Sequence, residues 1–219
     1  MCHLLAFPAG LARRPRNCLP PVVTGYLAPM ARGDKLGEYR AKRDLRKSGE
    51  PGGGRRRGKA DRFVVQRHEA TRLHFDFRLE VDGVLVSWAV PKGPSLNPDD
   101  RRLAVRTEDH PLDYAEFEGL IPEPEYGAGT VIVWDAGTYR NLTAKRGKAI
   151  AMADAVEHGH VKVYLEGERL TGAFALSRMG DGDWILVKVD DEGADRRRKP
   201  AKTRLESVLT GRTNRDLRA

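Results

Sequence analysis

Residues 62–189 encode a mostly β protein whose antiparallel strands close into a barrel or a sandwich. Short runs of β-branched and aromatic residues recur at close spacing between Gly, Pro, Asn and Asp, and a single segment among them has a helical pattern. The expected strands are 62–67, 73–81, 84–90, 102–107, 130–135, 160–165, 172–178 and 184–189. Asp82-Gly83 supplies a tight hairpin turn between the second and third. The helix covers 147–157 and ends at Gly159. No repeat of roughly 20–50 residues is visible.

The flanks have a different character. Residues 1–29 are rich in Pro, Arg and small residues without period, and Met30 opens a stretch that reads as an ordinary start, so 1–29 are expected to be a disordered or mis-started extension. Residues 30–60 form a basic N-terminal arm and linker, in which 36–47 has helical propensity and 49–58 is broken by Pro51, glycines and Arg55, Arg56 and Arg57. The core is 61–190, and 191–219 is a basic C-terminal tail.

Charge follows the same division. The formal net charge is +8, yet residues 1–60 hold 14 Lys and Arg against 4 acids and residues 196–219 hold 9 against 2, so the middle is net acidic. Basic ends can neutralise phosphates while an acidic body supplies oxygen ligands to a cation; the plainer alternative is a solubilising tail. Cys2 and Cys18 are the only cysteines, which leaves no disulfide framework or zinc ribbon. No apolar run reaches the roughly 18 residues of a membrane span, and the start is a poor signal peptide. A cytoplasmic location without membrane partners is expected.

The strand His74-Phe-Asp76-Phe-Arg78-Leu-Glu80-Val81 separates into an apolar face and a face of four ionisable groups. An ordinary solvated strand looks alike. Here, however, His74 and Asp76 are two apart on one face, with Cβ atoms roughly 6–7 Å apart, and His68 ends the preceding strand. Two imidazoles and a carboxylate make a mixed nitrogen and oxygen site with open positions, suited to a divalent transition metal inside a β cavity. Arg78 is placed to grip a phosphate oxygen, its alternative being a cross-strand ion pair. Gln66 shares the face of His68 and either orients a ligand or serves structure. His110, just past a strand end and held by Pro111, and Tyr114 stand on a loop where a proton donor or phosphate brace belongs.

These residues sit in longer matching stretches: His68-Glu-Ala-Thr-Arg-Leu-His74-Phe-Asp76-Phe-Arg78-Leu-Glu80, Ser87-Trp-Ala-Val-Pro-Lys-Gly-Pro-Ser95, Arg102-Leu-Ala-Val-Arg-Thr-Glu-Asp-His110-Pro, Tyr126-Gly-Ala-Gly129 and Gly167-Glu-Arg-Leu-Thr-Gly172. Together they resemble the 3′-phosphoesterase domain of bacterial ATP-dependent DNA ligase D, from about Leu36 to the C-terminus. The resemblance implies a metal, usually manganese with cobalt as another candidate, on His68, His74 and Asp76. It implies that Arg78, His110 and Tyr114 engage the scissile phosphate or assist catalysis and that Gln66 and Arg102 support them. It also brings Arg43, Asp44 and Glu50 into the site, which makes the arm partly ordered.

The fold carried forward is a closed antiparallel β barrel of about eight strands with one or two short helices and that arm. The activity implied is removal of a 3′-terminal ribonucleoside and then of the 3′-phosphate from DNA or RNA–DNA primer-template 3′ ends. The DNA ligase and polymerase of end joining are expected to act in trans. Pro124 stands where the family has Gly, in the loop beside the site. Two rival readings are an iron(II) and 2-oxoglutarate oxygenase, whose second His should follow His74-x-Asp76 at a distance rather than precede it, and a non-catalytic DNA-end binding module.

Overall fold

The structure is a computed structural model that describes residues 34–53, 61–180 and 182–218; the extension 1–29 and the run Arg55, Arg56 and Arg57 lie outside them. Its strands are β1 (Arg62–Glu69), β2 (Leu73–Val81), β3 (Val84–Val90), β4 (Arg102–Arg106), β5 (Gly119–Ile121), β6 (Gly129–Asn141), β7 (Ala144–Lys145), β8 (Lys148–Ala149), β9 (His160–Gly167), β10 (Thr171–Met179) and β11 (Asp183–Lys188). The helices are α1 (Gly37–Ala41), α2 (Leu45–Ser48), α3 (Met152–His158) and α4 (Pro200–Thr203).

Eight strands close a barrel in the order β1-β2-β3-β4-β11-β10-β9-β6 and back to β1, every pairing antiparallel. All eight expected strands are present, and β5 adds to the start of β6. Side chains alternate along each strand, so one set fills the lumen: Phe63, Phe77, Trp88, Trp134, Leu165, Phe174 and Trp184 belong to a buried cluster fed by every barrel strand. Trp88 meets Trp184 edge-on at 5.4 Å and Phe75 meets Trp134 at 5.2 Å. Cutting one such ring to Ala removes about 3–5 kcal/mol. The interior is therefore occupied by packing.

A second apolar cluster lies on the outer wall. Val64, Leu85 and Val133 of β1, β3 and β6 face Tyr39 of α1 and Leu112 and Tyr114 of a 3-10 turn (Leu112–Glu116). Between Val65 and Gln66 the β1–β6 register slips by one, leaving Trp134 as the extra residue of a bulge beside this cover.

Local chemistry explains three differences from the sequence reading. The helix expected from 147 begins at Met152, because Arg146 and Gly147 both take positive φ (53° and 75°) and turn a β7–β8 hairpin. The helical stretch 36–47 breaks into α1 and α2 because Asp44, at φ −93° and ψ 92°, caps α2 by accepting from Arg46 N at 3.2 Å. The segment expected as a basic tail runs back along β6, where Trp134 Nε1 donates to Arg204 O at 2.7 Å and Val208 N to Val133 O at 2.9 Å.

Asn214 anchors that strap. Its Nδ2 donates to Arg67 O (3.2 Å) and Thr130 O (2.7 Å), and its Oδ1 accepts from Arg67 Nη1 at 2.6 Å, all out of water. Asn214→Ala strands these groups and should lower stability by about 1–3 kcal/mol. Urea unfolding checks this as a lower midpoint at unchanged slope.

Candidate metal centre

β1 and β2 place the three sequence-predicted ligands on the outer face of the barrel wall. His68 pairs directly across from His74, and Gln66 from Asp76, so all four side chains project together. The inward alternative is closed to them, since the lumen is filled by the aromatic rings that alternate with them along β2. The site thus lies outside the barrel, in a cavity of about 260 Å³ roofed by the arm, the loop 107–114 and the loop 121–127.

One ligand atom from each of His68, His74 and Asp76 falls within 4.8 Å of the others. His68 Nδ1 lies 3.5 Å from Asp76 Oδ2, and His74 Nε2 lies 3.7 Å from Asp76 Oδ1. These separations are longer than ordinary hydrogen bonds. They approach the spacing of about 3–3.6 Å that ligand atoms adopt around one ion at bonds of about 2.0–2.2 Å. The outer ring nitrogens are fixed separately: His68 Nε2 is 2.9 Å from Gly127 O and His74 Nδ1 is 2.9 Å from Arg72 O. A carbonyl only accepts, so those nitrogens hold the ring protons, and in the neutral rings the inner lone pairs are left for a cation. The donor set fits a divalent transition metal.

Gly127 and Gly129 explain the local motif. Gly127 has φ 80°, which aims its carbonyl at His68, and a Cβ on Gly129 would lie 2.2 Å from Glu69 O.

Arg78, buried next to Asp76, holds it from one side. Its Nη2 is 3.2 Å from Asp76 Oδ2, its Nε donates to Gln66 Oε1 at 2.9 Å, and its Nη1 donates to Ser87 Oγ at 2.8 Å. Gln66 Nε2 in turn donates to the carbonyls of Tyr114 and Phe117, both at 3.0 Å. Burial acts to raise the Asp76 carboxyl, but the Arg78 guanidinium leads the interactions that outweigh it and hold the group well below the usual carboxylate range.

The opposite wall comes from the arm. Arg43 Nε donates to Glu50 Oε1 (3.0 Å), Nη1 to Glu108 Oε1 (2.7 Å), and Nη2 approaches His110 Nε2 at 3.3 Å. His110 Nδ1 donates to Glu108 O at 2.9 Å, so Nε2 accepts. Burial, reinforced by Arg78 and Arg43, pushes the His110 imidazolium well below its ordinary value. Tyr114 donates its hydroxyl to Glu50 Oε1 at 2.9 Å, while burial and Glu50 push its pKa well above the ordinary value and keep it protonated. Glu50 Oε2 is buried without a partner among the described residues.

Two expected site residues are not brought here. Asp44 is the helix cap described above and turns its carboxylate to Lys47 at 3.5 Å. Arg102 is bound to Asp100 at 2.6 Å, in a separate hollow lined by Lys92 and Lys199. The structure adds Glu108, Ser87, Tyr39 and Tyr126. Tyr126 is half exposed at the mouth, with Arg43 5.1 Å and Lys42 5.3 Å from its ring.

Fold and site together define a small closed barrel with two imidazoles and one carboxylate converging as a candidate cation centre beside buried guanidinium groups. The chain belongs to the DNA ligase D 3′-phosphoesterase domain family, whose profile matches residues 66–178. It is similar to the multifunctional non-homologous end joining protein LigD of Pseudomonas aeruginosa, with 48% identity over 187 residues that cover 81% of this chain and 21% of that protein. The multifunctional non-homologous end joining DNA repair protein LigD of Mycobacterium tuberculosis is 47% identical over 167 residues, 75% of this chain and 21% of that one. LigD of Mycolicibacterium smegmatis is 43% identical over 167 residues, covering 75% and 22%. The chain spans about a fifth of the length of these relatives.

The depressed His110 sets a pH response. Below about pH 6.5 the unfolded chain takes up a proton that the fold refuses, so the contribution is intact above that pH. It declines by about 1.4 kcal/mol per pH unit as pH falls toward the folded pKa. Between pH 6.5 and 5, His110→Gln should flatten the fall in unfolding free energy relative to the unsubstituted protein, which denaturant titrations at each pH measure.

Proposed function

We propose that this protein is a metal-dependent DNA 3′-end-healing phosphoesterase. It removes a 3′-terminal ribonucleoside and then the 3′-phosphate, leaving a 3′-hydroxyl for repair. One observation carries the reading: in a chain of this family, a single cavity is lined by His68, His74 and Asp76 and by the guanidinium groups of Arg43 and Arg78. The relatives' names speak of non-homologous end joining, and by that likeness the substrates are DNA or RNA–DNA primer-template 3′ ends, whose product a polymerase and a DNA ligase then use. Manganese is the proposed cation, with cobalt next, and the cytoplasm the proposed place of action.

A divalent cation on His68, His74 and Asp76 supplies Lewis-acid polarisation of a phosphoryl oxygen. Arg78 keeps N–H donors beyond those directed at Gln66, Ser87 and Asp76 and offers them to the phosphoryl group, where charge builds in the transition state. Arg43 faces the same space from the arm. Neutral His110 accepts from Arg43 and fixes its direction; in the free protein its Nε2 has no proton to deliver. Tyr114 stays protonated on Glu50. The unpartnered Glu50 Oε2 takes a hydrogen bond from water or from a substrate hydroxyl.

The test uses two primer-templates, one ending in a single ribonucleotide and one in a 3′-phosphate, with Mn2+ and without oxygen or oxoglutarate. Hydrolysis of both is expected. An oxygenase would leave both intact, and so would a module that only binds ends. His74→Ala, on a partly exposed strand end, should lose at least about 100-fold in both activities, on the scale of removing one preorganised electrostatic contact. Its thermal unfolding should change little. Metal-stimulated phosphatase activity surviving in that variant counts against the assignment. Calorimetric titration with Mn2+ should separately show at least about a 10-fold weaker affinity for Asp76→Asn.

A further inference from the structure

The cation cavity, at about 260 Å³, lies below the range of about 300–1,000 Å³ usual for small-molecule sites, whereas a hollow of about 570 Å³ adjoins it. Tyr126 and Glu108 line both, so the Tyr126 ring is part of the wall between them. The hollow runs between α1 and the end of β4, past Glu38, Lys42, Val105 and Arg106. Its charges are paired, Lys35 with Asp82 outside the hollow at 3.6 Å and the others within it. Lys42 binds Glu38 at 2.7 Å and Glu108 at 3.1 Å, and Arg106 binds Asp109. Among the described residues each cation of this surface has a carboxylate partner and the lining charges balance, Lys35, Lys42 and Arg106 against Glu38, Glu108 and Asp109, which suits an uncharged polar ligand.

Removing a 3′-terminal nucleoside breaks the bond between phosphorus and the nucleoside's 5′ oxygen. Water gives its hydroxyl to phosphorus and its remaining proton ends on that oxygen, so the departing fragment is a neutral nucleoside with a sugar and a flat base. The second step, loss of the phosphate, has no such fragment. With the phosphate held at the cation centre, a cavity this small leaves the nucleoside to extend past its mouth, where Tyr126 presents a half-exposed ring. An aromatic face stacks on any base.

We infer that this neighbouring hollow is the subsite for the terminal nucleoside, with Tyr126 as its stacking wall and specificity-determining residue. The inference rests on the proposed phosphoesterase reading. Tyr126 acts on the first step of that chemistry more than on the second.

Adenosine, the probe, is titrated into the full chain and followed by amide NMR shifts. Shifts confined to Glu38, Lys42, Arg106 and Tyr126 and their neighbours are expected, and their loss in Tyr126→Ala. In kinetics, the ratio of nucleoside removal to phosphate removal, each as kcat/KM, should fall about 10-fold in Tyr126→Ala and return in Tyr126→Trp. Equal loss in both steps, an unchanged ratio, or adenosine shifts elsewhere overturns the inference. If the unsubstituted protein hydrolyses neither end, the phosphoesterase reading fails, and the adenosine titration still decides the subsite.

Discussion

A guanidinium buried on the outside of a barrel organises this protein. Arg78 touches Asp76 of its own strand, Gln66 of β1 and Ser87 of β3, and stacks 4.9 Å from the Tyr114 ring of the cover. A charge out of water is tolerated only when its partners are all in place, and truncating one member of such a lattice costs about 3–5 kcal/mol through the groups left unpaired. That penalty fixes more than stability. It sets the rotamer of Asp76, the face of Gln66 and, through Gln66, the distance of the 3-10 turn from the sheet. The cation centre inherits its geometry from these constraints.

Charge balance in the cavity then decides what it can receive. Glu50, Asp76 and Glu108 stand against Arg43 and Arg78, so the walls are net negative and repel a phosphate. A divalent cation on His68, His74 and Asp76 would reverse the sign. The neutral state of His110 follows first from its burial and then from the same crowding, since an imidazolium there meets Arg78 and Arg43. It remains an acceptor that turns Arg43 toward the cavity.

Much of this was legible in the chain because strands alternate faces. The eight barrel strands, the Asp82-Gly83 turn and the separation of His74, Asp76 and Arg78 from the apolar residues all follow from period two. Even Ser87 was within reach: a two-residue hairpin joining Val81 to Val84 pairs Arg78 with Ser87 by register. What periodicity cannot report is which face of a closed sheet looks inward, so the cation site was expected inside a cavity that tryptophans fill. Nor can it place an arm across the sheet. Arg43 and Glu50 entered through resemblance alone, and the same resemblance named Asp44 and Arg102, which local pairing holds elsewhere. Arg146-Gly147 hid a hairpin inside a helical pattern because two consecutive positive-φ residues are a matter of turn chemistry.

A closed barrel leaves little choice about where chemistry goes. Its lumen is packed and its strand edges are paired, so a polar site must sit on the outer wall and bring its own cover. Here the near wall is held by the β1–β2–β3 register and the far wall by ion pairs, Arg43 with Glu50 and Glu108. Buried ion pairs add little net stability, but they impose direction. On the proposed function, an arriving phosphate would compete with those carboxylates for Arg43, and would compete better once a cation had drawn it in. The wall that must yield to substrate is therefore the one held by exchangeable charge, while the wall that must hold the cation is built into the sheet.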